Sequence, residues 1–275
     1  MEKDLTLAYS QPTVTLKAYT QTVEGFEVDA EDLVAYVARV SNPTNQMNFA
    51  TSDRLLGYLI RNSHWSPLEM VSVLFEIETT RDIARQILRH RSFTFQEFSQ
   101  RYANPTVDTA GLGFVLREPR LQDTKNRQNS IEGVDGATAF LWDAAQRRVL
   151  DAAQEAYLWA TDNGIALEQA RVVLPEGLTK SRLYMNGTLR SWIHYIALRE
   201  ANGTQKEHRE IALLAKEQLF KLYPFVEKAW PVIVEQLHSA GVIKELRAQL
   251  LEAEAEIGYL ENQLFDERLS REIDQ

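Results

Sequence analysis

Arg85-Gln86-Ile87-Leu88-Arg89-His90-Arg91-Ser92-Phe93-Thr94-Phe95-Gln96-Glu97-Phe98-Ser99-Gln100-Arg101-Tyr102 places four arginines, a histidine and three phenylalanines within eighteen residues. Counted from Arg81, the run holds five arginines against Asp82 and Glu97, a local charge of +3 in a chain whose net charge is −9. Arg81, Arg85 and Arg89 are spaced four apart and so share one helical face, at a repulsive cost of about a few tenths of a kcal/mol per pair. Guanidinium forks beside hydroxyl and amide donors, here Ser99 and Gln100, match the geometry of phosphate oxygens. One reading is therefore a site for a small anionic ligand; the other is a solvated face partnered by Asp82 and Glu97. The overall acidity argues against a nucleic-acid binder, which would carry a basic surplus.

Outward from this run, periodicity predicts a strand at 13–19, helices at 29–40 and 52–61, a capped turn at Ser66-Pro67-Leu68-Glu69 and a strand at 71–78. Thr79 or Thr80 caps a helix reaching about Arg89. The span 104–136 collects Gly111, Gly113, Pro119, Gly133 and Gly136 and is long for a structureless connection, which points to a functional insert or a partly ordered lid. Helices follow at 137–161 and 166–174, a strand at 179–185, and helices at 188–200, 204–222 and 225–238. In the last segment Ile243, Leu250, Ile257 and Leu264 are seven apart. That spacing suits a short coiled-coil seam or an amphipathic helix on its own protein. The organisation expected is one main domain over 1–240 and an acidic tail helix over 241–275, where nine acids face four bases.

The 275 residues are 44% hydrophobic and 25% charged, an ordinary globular composition. No apolar run reaches membrane-spanning length and the N-terminus lacks a signal-peptide core, so a cytoplasmic protein with no membrane partner is expected. There is no cysteine, which removes thiolate nucleophiles, disulfides and cysteine-ligated metals. The five histidines, at 64, 90, 194, 208 and 238, show no metal-ligand spacing, and no metal is expected. Phosphate-loop and dinucleotide fingerprints are absent: Gly111-Leu112-Gly113 is followed by Leu116 where a third glycine would stand.

Arg89-His90-Arg91, seven residues, then Ser99 resembles the signature of the flavin-dependent thymidylate synthase family. Further blocks resemble the family in order: Ala38-Arg39-Val40-Ser41, His64-Trp65-Ser66-Pro67-Leu68-Glu69, Ala84-Arg85-Gln86, Ala170-Arg171-Val172-Val173-Leu174-Pro175, and Leu189-Arg190 through Leu198-Arg199. The likeness covers roughly 10–235. It implies an α+β fold with a mixed sheet, flanking helices and, here, a long C-terminal helix. It implies methylation of dUMP to dTMP, with methylenetetrahydrofolate as carbon donor and FAD, reduced by NADPH, as hydride source. It also implies a homotetramer with active sites shared between subunits. Independently, the missing cysteine agrees with a route that leaves the difficult chemistry to a cofactor.

By the same resemblance Gln86, Arg89, Glu97, Ser99, Gln100, Arg101, Arg171 and Arg199 form the dUMP site, with Ser99, Gln100 and Arg101 on the phosphate. Arg199, the catalytic candidate, lies against the uracil edge, where a guanidinium stabilises charge developing on the ring carbonyl. Ser41, Ser66, Arg89, His90, Arg91, Glu97, Arg190 and His194 are implied for FAD. Some positions depart from the family. Thr188 stands where asparagine is usual, Gly203 where a histidine near the flavin is common, and Gln100 where some members have glycine. The stretch at 121–128 resembles an insert found in a subset of the family, read as a flexible lid. A non-catalytic nucleotide-binding or assembly protein that recruits a partner through the acidic tail is the competing class.

Overall fold

Alternation builds β2 (Ser72–Thr80): Val73, Phe75, Ile77 and Thr79 are buried and the residues between them only partly so. The same period runs through β6 (Lys180–Thr188), which buries Ser181, Leu183, Met185 and Gly187. The computed structural model describes residues 7–106, 112–239 and 251. With β1 (Thr13–Tyr19) and β3 (Thr94–Glu97), these strands form one sheet in the order β1-β2-β6-β3, and every pairing is antiparallel. The α+β class stands, but the mixed sheet expected from the sequence is corrected. β2 and β3 run in the same direction, and β6 is inserted between them, so neither has a parallel neighbour. Among the described residues, parallel pairing is confined to the isolated bridge Tyr9–Leu116.

The remaining elements of the core are α1 (Ala30–Ala38), α2 (Ser52–Arg61), α3 (Arg81–Ile87), a hairpin of β4 (Leu121–Gln122) and β5 (Ser130–Ile131), α4 (Gly136–Asp162), α5 (Leu167–Ala170), α6 (Leu189–Arg199) and α7 (Lys206–Leu222). Local chemistry explains the helix starts. Asp29 accepts from the Asp32 amide at 2.7 Å, and Asp135 accepts from the amides of Ala137 and Thr138, each at 3.0 Å. The expected helix at 166–174 is the short α5 followed by a 3-10 turn, Arg171–Val173. The connection over 104–136 is not structureless. Its hairpin is tied down where Arg120 donates to Ser130 Oγ at 2.8 Å and to Glu207 at 2.7 Å.

Near the arginine run one expectation fails and one strand goes unread. α3 ends at Ile87, and the His90 amide turns back to the Ile87 carbonyl at 3.0 Å. Arg89 therefore lies in a turn and does not share the helical face of Arg81 and Arg85. The strand β3 was not foreseen, although Phe93-Thr94-Phe95-Gln96 alternates. The chain forms two compact units, Met1–Lys228 and Ala229–Gln275. Residues 229–239 of the second are helical; apart from Leu251, the tail at 241–275 and its heptads lie outside the described residues. Among the described residues, no helix is long and apolar enough to cross a membrane.

One face of the sheet carries the core. Trp192 of α6 is fully buried, donates its indole N–H to the Val73 carbonyl at 3.0 Å and meets Phe75 edge-on at 4.8 Å. Ile83 and Ile87 of α3, Ile193 and Ile196 of α6 and Ile211 and Leu219 of α7 are buried in the same unit. Geometry then sets where the helices end. β2 runs straight into α3 at Thr80, and β6 into α6 at Thr188, from opposite ends of the antiparallel pair. α3 is about 10 Å long and α6 about 16 Å, and the turn that follows α3 meets the last residue of α6 through the pair His90 and Arg199.

Candidate functional site

At that meeting point Arg199, the last residue of α6, donates through Nε to His90 Nε2 at 2.9 Å. His90 stands edge-on to Tyr195 with ring centroids 4.9 Å apart. An imidazolium could not accept this bond, so the ring is neutral. Burial, then Arg199 and Arg89, pull its pKa down to about 4. Arg199 is thereby held by its Nε, and its outer fork is left to other partners. Gln86 belongs to the same cluster through His208, whose Nδ1 lies 3.2 Å from Gln86 Oε1 and whose Nε2 lies 3.1 Å from the Tyr195 hydroxyl.

Arg85, the neighbour of Gln86, belongs to a second group. A cleft of about 390 Å³ is lined by Arg81, Arg85, Gln100, Glu168, Arg171 and Glu176. Arg81 and Gln100 are only 5% and 4% exposed, yet Arg81 Nη1 and Gln100 Nε2 make no hydrogen bond. Buried donors of this kind are costly unless a ligand satisfies them. Glu97 accepts from the Ser181 hydroxyl at 2.8 Å and forms ion pairs with Arg81 and Arg85 at 3.6 and 3.4 Å. The Arg101 amide donates to Ser99 Oγ at 3.4 Å, and the Arg101 guanidinium lies over the exposed Tyr102 ring.

The third group surrounds the start of α6. Arg190 pairs with Glu69 of the Ser66–Glu69 turn, and His194 meets Trp65 edge-on at 4.9 Å. His194 Nε2 is buried without a hydrogen bond; burial, then Arg190, lower its pKa. Ser41, Ser66, Arg89 and Arg91 are exposed, and neither arginine has an ion pair among the described residues. Thr188 explains its own departure from asparagine: its hydroxyl accepts from the Ser191 amide at 3.2 Å, a helix cap either residue can supply. At Gly203 a Cβ would meet nothing within 4 Å, so that position is open space.

The structure thus gathers Gln86, His90 and Arg199 in one place, Glu97, Gln100 and Arg171 around another, and Ser66, Arg190 and His194 at a third. Sequence reasoning missed Tyr195, Gln205, Glu207 and His208, all close to or within the first cluster. A signal existed. Glu207 and His208 head the stripe that continues as Ile211, Ala212, Ala215 and Leu219, a buried polar pair on the apolar face of α7.

A pH prediction follows from the two rings. Burial, then Arg199 and His90, bring His208 to about 3. Both folded-state values lie below the ordinary 6.5, so the unfolded chain binds protons that the folded chain does not. The stability these rings contribute is complete above about pH 6.5 and is lost as pH falls, down to about 4 for His90 and about 3 for His208. NMR should find both rings neutral at pH 5.5, where a free imidazole is mostly protonated. A titration midpoint above 6 for either ring would contradict the buried, arginine-flanked setting.

Comparison with known proteins converges on the same chemistry. The profile of the family described as thymidylate synthase complementing protein matches residues 23–225. Over 207 residues, 75% of this chain, the sequence is 47% identical to a probable flavin-dependent thymidylate synthase of Paramecium bursaria Chlorella virus 1 and covers 93% of it. It is 48% identical to the flavin-dependent thymidylate synthase of a Synechocystis strain, again over 75% of this chain and 92% of the relative. Among solved structures, a UMP/dUMP methylase, PolB, from Streptomyces cacaoi bound with 5-Br UMP superposes with a TM-score of 0.69 at 26% identity. That alignment covers 82% of this chain and 97% of the other. The arginine-histidine-arginine turn that brings His90 to Arg199 lies inside the matched region, and the chain belongs to the flavin-dependent thymidylate synthase family.

Proposed function

We propose that this protein methylates dUMP at C5 to give dTMP, taking the carbon from methylenetetrahydrofolate. Bound FAD, reduced by NADPH, supplies the hydride. The observation that carries the reading is the Arg199–His90 bond, which fixes a guanidinium at the end of α6 in the cluster where Gln86 bonds His208.

The residues fit the cofactor. Arg89 and Arg91 are exposed cations without ion pairs among the described residues, suited to a pyrophosphate, and His194 offers a buried, unpartnered ring nitrogen. Ser41, Ser66 and Arg190, with neutral His90 and Glu97, complete the proposed FAD set. For dUMP, the unsatisfied Gln100 Nε2 beside Arg171 supports an anion cleft, with Ser99 and Arg101 on the adjoining turn. Arg199 would hold the negative charge that spreads onto a uracil carbonyl as C5 attacks the methylene carbon. No cysteine exists to add to the ring, and among the described residues the Ser99 hydroxyl has no hydrogen bond to a basic side chain.

Gln86 and Arg85 are adjacent on α3 yet belong to different groups. That separation supports sites completed by neighbouring copies, as in the expected homotetramer. The apolar Phe140, Leu141 and Trp159, exposed on α4, support such association. The reading is tested by the absorption spectrum and by tritium release. The purified protein should be yellow, with a flavin band near about 450 nm, a general property of the cofactor. It should also release tritium from C5-labelled dUMP only when NADPH and methylenetetrahydrofolate are present. A colourless protein that takes up no added FAD would overturn the proposal.

A further inference from the structure

Behind the first cluster, five side chains form one hydrogen-bonded line. The Tyr195 hydroxyl is 3.1 Å from His208 Nε2, and His208 Nδ1 is 3.2 Å from Gln86 Oε1. Gln86 Nε2 donates to Gln205 Oε1 at 2.8 Å, and Gln205 Nε2 donates to Glu207 Oε2 at 3.0 Å. The line ends on a buried carboxylate. Burial alone would raise the Glu207 pKa, but Arg117 at 3.1 Å and Arg120 at 2.7 Å outweigh it and hold the group ionised.

A carboxylate only accepts, and that fixes every direction behind it. Gln205 must turn its amide nitrogen to Glu207, which leaves its oxygen for Gln86. Gln86 must then give its nitrogen to Gln205 and its oxygen to His208. That oxygen cannot donate, so His208 carries its proton on Nδ1, and its bare Nε2 accepts the Tyr195 hydroxyl. Without this line the half-buried Gln86 amide could turn over and exchange donor for acceptor. A uracil edge, in which an N–H is flanked by two carbonyls, would not tolerate that exchange.

We infer that His208, Gln205 and Glu207 are positioning residues that lock the Gln86 amide in one of its two orientations, leaving one N–H and one carbonyl lone pair in fixed directions for the uracil ring. The inference rests on the reading of Gln86 as a dUMP-binding residue.

Calorimetric titration of dUMP into the FAD-loaded enzyme, with steady-state kinetics beside it, tests the assignment. His208→Leu should weaken dUMP binding and raise its KM about tenfold, the scale of one orienting hydrogen bond, while kcat stays within about twofold. His208→Asn, whose side-chain N–H replaces the one on Nδ1, should recover most of the affinity, and Gln205→Ala should match His208→Leu. Gln86→Ala combined with His208→Leu should bind no more weakly than Gln86→Ala alone.

Tight binding by both His208→Leu and Gln205→Ala, with Gln86→Ala weakened, overturns the inference and leaves the nucleotide site standing. Additive losses, or an asparagine variant as weak as the leucine one, also overturn it. Unchanged binding by Gln86→Ala would remove Gln86 from the site and the lock with it. Should His208→Leu fail to fold, Gln205→Ala, at the partly exposed start of α7, decides by the same outcomes.

Discussion

Arg199→Ala is expected to lower dTMP formation by about two to three orders of magnitude while FAD content stays at the wild-type level, the loss typical of removing one preorganised donor at a developing anion. The expectation rests on how the side chain is held. His90 takes the Nε–H, so the guanidinium reaches the site with its orientation already set. Arg199→Lys should not restore the rate, because an ammonium has no Nε–H to lodge on His90 and no planar fork beyond it. The checks are kcat with saturating dUMP and the flavin-to-protein absorbance ratio. Wild-type turnover in Arg199→Ala would remove this residue from the chemistry, and loss of FAD would make it a cofactor ligand.

Gly187→Ala carries the second large effect, this time on stability. A Cβ at position 187 would lie 2.3 Å from Phe93 Cδ1 and 2.5 Å from Cε1, closer than carbon atoms approach. Phe93 has little room to retreat, since it packs edge-on against Trp192 at 4.8 Å and Tyr195 at 5.8 Å. Close approach requires glycine here, and overpacking of this kind costs about 2–3 kcal/mol. That corresponds to a fall of roughly 5–10 °C in Tm for a chain of this size. Phe93 follows His90 by three residues, so its displacement should also loosen the Arg199 contact and lower kcat. Adding Phe93→Leu to Gly187→Ala should recover part of the Tm; an unchanged Tm in Gly187→Ala would show that the ring yields freely.

Much of the fold could be read from local pattern. β1 and α2 fall where alternation and helical spacing put them, and Asp29 and Asp135 mark helix starts by their cap chemistry. What pattern could not supply was pairing. β3 is four residues long, too short for periodicity to separate it from the arginine-rich turn beside it. The antiparallel sheet depends on β6 entering between β2 and β3, a choice made by residues about a hundred positions apart.

The site divides the same way. His90 and Arg199 were both singled out by motif, but their bond spans 109 positions and depends on where two separate helices end. His208 was noted only as one of five histidines without metal-ligand spacing, and no role was read for it. Only its two hydrogen bonds, to Gln86 and Tyr195, show what it holds.

Thr80 and Thr188 are each the last residue of a strand and the cap of the helix that follows, with no loop between. Neither junction has slack. One codon added within β6 would exchange its two faces and turn the start of α6 over with them, through about 180°, carrying its terminal guanidinium away from the imidazole. Length variation among homologous genes must therefore collect in segments such as the hairpin connection, while the two long strands keep their register.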